Sequence, residues 1–142
     1  MKSDFDLIEK ELSYKIQGVF LKVGKEFGRY YKEEVYQRAI EEELEEIDLK
    51  FISKPKIPIY SKRNRRKIGE FVPDLIIEDK IIIEIKVVKC LLESSISQLI
   101  SYLEKSNYEV GYLVNFGTSY IQIIRRVYSN NRKRRELIAN YR

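Results

Sequence analysis

The sequence predicts an α/β fold, and three observations carry that prediction. Apolar residues recur at helical spacing through the first third of the chain, the period shifts toward strands after about Leu49, and a further helical stripe precedes two more β-rich segments. At 142 residues the chain suits one domain, read as 1–142 with a basic tail from about 128. A chain of that length can bury roughly two thirds of the surface its unfolded form exposes.

The first helix is read from Phe5 to Phe27, where Phe5, Ile8, Leu12, Ile16, Val19, Phe20, Val23 and Phe27 form one buried stripe. Ser3 and Asp6 have capping-box spacing at its start, and Gly28 stops it. A second helix starts near Lys32, carries Val35, Ala39, Ile40, Leu44 and Ile47, and presents its acidic residues, Glu41 to Glu46 among them, to solvent. Lys50 to Tyr60 contains Pro55 and Pro58, which suit an edge or irregular strand. The basic run Ser61 to Lys67 then reads as a hairpin loop. Phe71 to Ile77 and Ile81 to Val88 form a second hairpin around Glu78-Asp79-Lys80, its second strand apolar enough to be buried on both faces at the centre of the sheet. Ser94 caps a third helix whose inner stripe is Ile96, Leu99, Ile100 and Leu103. Strands follow near Val110 to Phe116 and Tyr120 to Val127, joined by the turn Asn115-Phe116-Gly117-Thr118, and a short basic helix begins at about Arg132.

Composition removes several chemistries. No apolar run approaches the ~20 residues that span a bilayer, so no membrane segment is expected. The start, Met1-Lys2-Ser3-Asp4, lacks a secretory signal pattern, and the chain is read as intracellular and cytoplasmic. Cys90 is the only cysteine, which excludes an internal disulfide and a cysteine-cluster zinc site; it reads as a small buried residue. With no histidine, acid–base or metal chemistry must come from carboxylates, Lys and Tyr. Tyr14 and Tyr36 read as packing residues. The net charge is +5, with basic clusters at Lys62, Arg63, Arg65, Arg66 and Lys67 and at Arg132-Lys133-Arg134-Arg135. Two such clusters fit a polyanionic partner, or else are solvated turn and tail charges.

The strand Ile81 to Val88 is interrupted by Glu84 and Lys86. Buried ions cost several kcal/mol unless compensated, so the pair requires partners, a cation or an opening to water. Alternation puts both side chains on one face. If Glu78-Asp79-Lys80 is a three-residue loop, Asp74 lies opposite Glu84 on that face; a two-residue loop would turn it away unless a bulge restored the register. Two carboxylates beside a lysine suit a hard divalent cation and a phosphate. The structural alternative is a Glu84–Lys86 or Asp74–Lys86 ion pair.

Pro73-Asp74, nine residues, then Glu84-Ile85-Lys86 is a pattern that resembles the PD-(D/E)xK nuclease superfamily. Glu11-Leu12-Ser13-Tyr14-Lys15-Ile16, Glu33-Glu34-Val35-Tyr36, Gly69-Glu70, Asp74-Leu75, Gln98-Leu99-Ile100-Ser101-Tyr102-Leu103 and Val114-Asn115-Phe116-Gly117 resemble, in order, its GxxExxY family. Tyr30 stands where that family has its Gly, and Gly24 where a His is common. The resemblance implies a restriction-endonuclease-like core, a central mixed β-sheet flanked by helices, and a metal-dependent nuclease acting on DNA ahead of RNA. It implies Asp74, Glu84 and the Ile85 carbonyl on Mg²⁺, for which Mn²⁺ substitutes, with Lys86 beside the attacking water, Glu33 reaching in from the second helix and Gln98 near the site. One or two ions fit that set. Gln98 and Tyr102 share a helix face and could equally serve surface hydrogen bonding. Lys62, Arg63, Arg65, Arg66 and Lys67 would hold the phosphate backbone if their hairpin overhangs the cleft. A non-catalytic module binding nucleic acid or protein, and a regulatory protein docking on an acidic partner, are the competing readings. A homodimer is compatible with the sequence and not derivable from it.

Overall fold

The computed structural model describes residues 8–140, so the expected cap at Ser3 and Asp6 lies outside the described residues. Among these residues four helices and seven strands follow in the order α1 (Lys10–Phe27), α2 (Glu33–Glu46), β1 (Phe51–Ser53), β2 (Ile57–Tyr60), β3 (Lys67–Phe71), β4 (Leu75–Ile77), β5 (Ile81–Lys86), α3 (Glu93–Glu104), β6 (Val110–Asn115), β7 (Gln122–Val127) and α4 (Asn130–Asn140). A five-stranded sheet runs β1-β4-β5-β6-β7, and β2 and β3 form a separate two-stranded sheet. Only β5 and β6 pair in parallel within the main sheet, which is therefore mixed, and α3 makes the crossover between them. The predicted α/β class is thus observed, with β5 at the centre.

The two faces of the sheet have separate cores. On one, Ile16, Val19, Phe20 and Val23 of α1 and Tyr36, Ala39, Ile40 and Leu44 of α2 cover Ile77, Ile81, Ile83, Ile85, Tyr112 and Val114. On the other, Leu99 and Leu103 of α3 and Ile57 and Phe71 of the hairpin cover Ile76, Ile82 and Leu113. β5 thus divides by parity: odd positions face α1 and α2, while Ile82, and with it Glu84 and Lys86, faces α3 and the hairpin.

Several sequence expectations are corrected. Lys50 to Tyr60 is not one strand: Lys54 takes a left-handed φ of 51° just before Pro55, so β1 stays on the main sheet while β2 leaves for the hairpin. Phe71 to Ile77 also divides, β3 ending at Phe71 and β4 starting at Leu75. α3 begins at Glu93 because Leu92 is the last extended residue, so Ser94 lies inside the first turn and caps nothing. Tyr14 is 81% exposed and does not pack, and Cys90 is exposed instead of buried. Tyr36 is buried as expected, stacked on Phe116 with ring centroids 4.3 Å apart. Gly28 ends α1 as predicted, at φ 70° with its N–H on the Gly24 carbonyl. The C-terminal basic run is helical and partly anchored, since Lys133 Nζ donates to the Ser106 and Tyr108 carbonyls and burial lowers its pKa to about 8.

Where β5 and β6 end, the loops that follow them are locked by Asn115, which is fully buried. Its Oδ1 accepts from the Val88 and Gly117 N–H groups, while its Nδ2 donates to the Val88 carbonyl and Gln122 Oε1. Asn115→Ala should leave those part-buried groups without their partner and cost about 1–3 kcal/mol of stability. Urea unfolding checks this, and a change within experimental error would remove Asn115 as the lock.

Candidate active site

The β4–β5 turn sets the site. Glu78 and Asp79 both take positive φ, 54° and 53°, and the Lys80 N–H closes onto the Ile77 carbonyl at 3.0 Å. The ladder nevertheless pairs Ile77 with Ile81, making Glu78-Asp79-Lys80 a three-residue loop. Continuing the register from Leu75↔Ile83 places Asp74 opposite Glu84, and the Asp74 N–H donates to the Ile83 carbonyl at 3.1 Å. Asp74 and Glu84 therefore share the sheet face that also carries Lys86.

Asp74 is held from several directions. Its Oδ2 accepts the Ile85 N–H at 2.7 Å, and its Oδ1 accepts a short hydrogen bond from Lys54 Nζ. Its carbonyl receives the Lys54 N–H at 2.9 Å and Gln37 Nε2 at 3.0 Å. Glu84 is different. It is half-buried, and no described residue donates a hydrogen bond to its carboxylate. Burial and then the Asp74 charge push its pKa up to about 7, with Lys86 and Lys54 opposing and Glu33 adding to the rise. Lys86 is half-buried and forms no ion pair with a described residue, so neither structural bridge considered from the sequence is present.

The remaining candidates are placed less centrally. Glu33 is exposed on the first turn of α2, close enough for its charge to act on Glu84. Among the described residues, however, no group of three or more carboxylates or cysteines gathers, so the convergent pair is Asp74 and Glu84. Gln98 is exposed on α3 beside the Tyr102 hydroxyl. Tyr102 stacks on Phe71 with centroids 4.0 Å apart, and burial together with the Glu84 charge raises its pKa. Lys62, Arg63, Arg65, Arg66 and Lys67 occupy the β2–β3 turn and its exit, all exposed, with Lys67 paired to Glu70 at 3.0 Å. That turn is the end of the hairpin remote from Asp74. β3 runs from Lys67 to Phe71, about 13 Å at the usual strand rise.

Two residues escaped the sequence reading. Gln37 is buried, and its Nε2 also reaches Ser53 Oγ at 2.8 Å and Glu41 Oε2 at 3.1 Å, tying α2 and β1 to Asp74. Its position four residues after Glu33 was the available signal. Lys54 carried no signal, because its bond to Asp74 depends on the backbone break beside it.

Two hard-oxygen carboxylates on one face, one without a donor among the described residues, fit a divalent cation. The raised Glu84 pKa also has a stability consequence. The folded chain holds this proton more tightly than the unfolded one, so the contribution is complete below about 4.5 and is lost as pH rises through about 7. In EDTA, Glu84→Gln should therefore gain stability over the parent between pH 5 and pH 8, by up to ~3 kcal/mol. Paired urea titrations at the two pH values test this; a pH-independent difference would show that Glu84 titrates normally.

The model of the PD-(D/E)XK nuclease superfamily matches residues 10–127 of the chain. Searches of curated proteins and of solved structures returned no match. The mixed five-stranded sheet and its helices agree with that fold, and the matched span contains every element from α1 to β7. The chain belongs to the PD-(D/E)XK nuclease superfamily.

Proposed function

We propose that the chain is a metal-dependent nuclease of the GxxExxY branch that hydrolyses phosphodiester bonds, with DNA ahead of RNA as substrate and 1–142 acting as one domain. The observation that carries this reading is the placement of Asp74 and Glu84 across the β4–β5 hairpin, on the face that also carries Lys86. Asp74, Glu84 and the Ile85 carbonyl would hold Mg²⁺, or Mn²⁺ in its place, with Glu33 as an additional carboxylate. Such a cation supplies Lewis-acid stabilisation of charge on the phosphoryl oxygens.

The chain's own residues then divide the work. The Ile85 N–H and the hydrogen bonds to the Asp74 carbonyl fix that carboxylate before substrate arrives, which removes a reorganisation cost. Lys86, not engaged by any carboxylate among the described residues, would orient the attacking water and stabilise charge on the phosphate. Tyr102 and Gln98 border the site from α3. The β2–β3 turn contributes backbone affinity at a distance from the scissile bond. A second reading, a binding module that cleaves nothing, draws on the Lys54 ammonium already neutralising Asp74.

Metal titration calorimetry and a Mn²⁺-dependent cleavage assay separate the two. Lys86→Ala should retain metal affinity, lose about 10²–10³-fold in cleavage and melt near the parent temperature. Asp74→Ala should lose both metal binding and cleavage. A Lys86→Ala protein that cleaves at the parent rate would overturn the assignment, and a parent that binds no metal would favour the binding module.

Neutralising Arg63, Arg65 and Arg66 together should flatten the salt dependence of nucleic-acid binding, by about one unit of log–log slope for each phosphate no longer neutralised. An unchanged slope would remove the turn from the footprint.

A further inference from the structure

Beside the end of β5 that carries Lys86, three loops meet: the α1–α2 loop, the segment after β5 and the β6–β7 loop. Between them lies a groove of about 550 Å³ whose lining includes Arg29, Tyr30, Val88, Lys89 and Ser119. Its floor is rigid backbone. A Cβ on Gly117 would lie 2.4–2.8 Å from Val88 main-chain atoms, and the Asn115 amide clamps the same two segments. The α1–α2 loop is likewise tied down, because the Tyr36 hydroxyl donates to the Gly28 carbonyl and accepts the Tyr31 N–H.

On this rigid frame stands an aromatic ring that the fold does not use. Tyr30 is 85% exposed, yet it is held in place by its neighbour: the Arg29 guanidinium lies 5.3 Å from its ring centre, and Arg29 also donates to the Tyr30 hydroxyl and to Ser119 Oγ. One ring face is thus backed by a cation and the other is open. Neither Arg29 nor Lys89 has a carboxylate partner among the described residues, so both cations are available to an anion. Tyr120, 88% exposed, stands on the same β6–β7 loop. The groove begins one residue beyond Lys86, and Tyr30 is three residues before Glu33.

An open aromatic face flanked by unpaired cations fits a base with its adjoining phosphates, and in a duplex the bases are stacked on one another and cannot offer that face. We propose that this groove binds unpaired nucleotides next to the scissile phosphate, one base stacking on Tyr30 while Arg29 and Lys89 hold the flanking phosphates. The substrate is then a single-stranded segment, such as a strand end or a displaced strand. The inference rests on the nuclease reading for the direction in which the strand leaves the groove, whereas the binding itself can be measured without metal.

The chain contains no tryptophan, so Tyr30→Trp gives a single fluorescent reporter at the proposed stacking position. In EDTA, a twelve-nucleotide single strand should quench that fluorescence, and the duplex of the same sequence should do so at least about tenfold more weakly. DNA and RNA arms report which strand is preferred. In the otherwise unchanged protein, Tyr30→Ala should weaken single-strand binding by about 5- to 100-fold with little effect on duplex binding, and Tyr30→Phe should restore it. Circular dichroism checks that both variants fold, as expected for so exposed a side chain. No quenching by either single strand, or a Tyr30→Ala protein with parental single-strand affinity, would overturn the proposal. Single-strand binding without Mn²⁺-dependent cleavage would support the groove and sink the nuclease reading.

Discussion

The site depends on a matter of register. Because the β4–β5 loop has three residues, the face of β4 that meets Glu84 is the one carrying Asp74. A loop one residue shorter would leave the hydrophobic ladder intact in outline and turn Asp74 toward the α1–α2 core. The chain secures this loop with more than its own turn. Tyr108 donates its hydroxyl proton to Asp79 Oδ1 at 2.7 Å, and the Lys50 N–H donates to Glu78 Oε1 at 2.9 Å while the Glu78 N–H donates to the Lys50 carbonyl at 2.8 Å. Two non-glycine residues at positive φ are strained, and these hydrogen bonds offset that strain at the end of the sheet opposite the carboxylates they align.

Charge at the carboxylate end follows from the same register. Bringing Asp74 and Glu84 together within a partly desolvated face would raise the energy of both anions, and the chain resolves this unequally. Asp74 receives a backbone N–H and the Lys54 ammonium; Glu84 receives no hydrogen bond from a described residue, and burial with the Asp74 charge raises its pKa. The asymmetry leaves one carboxylate oriented by hydrogen bonds and the other without a donor among the described residues. Lys86 lies on the same face and has no ion-pair partner among the described residues.

Legibility in the sequence tracked how local each determinant was. The spacing of Asp74 and Glu84 set the register once the loop between the strands had three residues, which the ladder supplies, and β5 declared itself by an apolar run broken at Glu84 and Lys86. Gly28, Ile16, Phe20 and Leu103 likewise behaved as periodicity and backbone freedom require. The features that were not legible are set by distant partners. Tyr14 and Tyr36 look alike in one dimension, and only the presence of Phe116 across the core decides that Tyr36 is buried. Lys54 meets Asp74 because a left-handed residue before Pro55 redirects the chain, and Gln37 reaches the Asp74 carbonyl across 37 positions. Glu33 was singled out by pattern but remains at the margin of the carboxylate pair, because α2 packs on the opposite face of the sheet.

The parity of β5 has a consequence for how such a protein can drift over generations. Ile81, Ile83 and Ile85 answer to α1 and α2, whereas Glu84 and Lys86 answer to the other face. Replacements at the odd positions are therefore filtered by whether the chain folds and, on the proposed function, those at the two charged even positions by what the folded chain does. Six consecutive residues carry two nearly independent selective pressures, interleaved at every second position. A lineage could lose its chemistry while keeping its thermal robustness, or lose robustness while every reacting group remains in register.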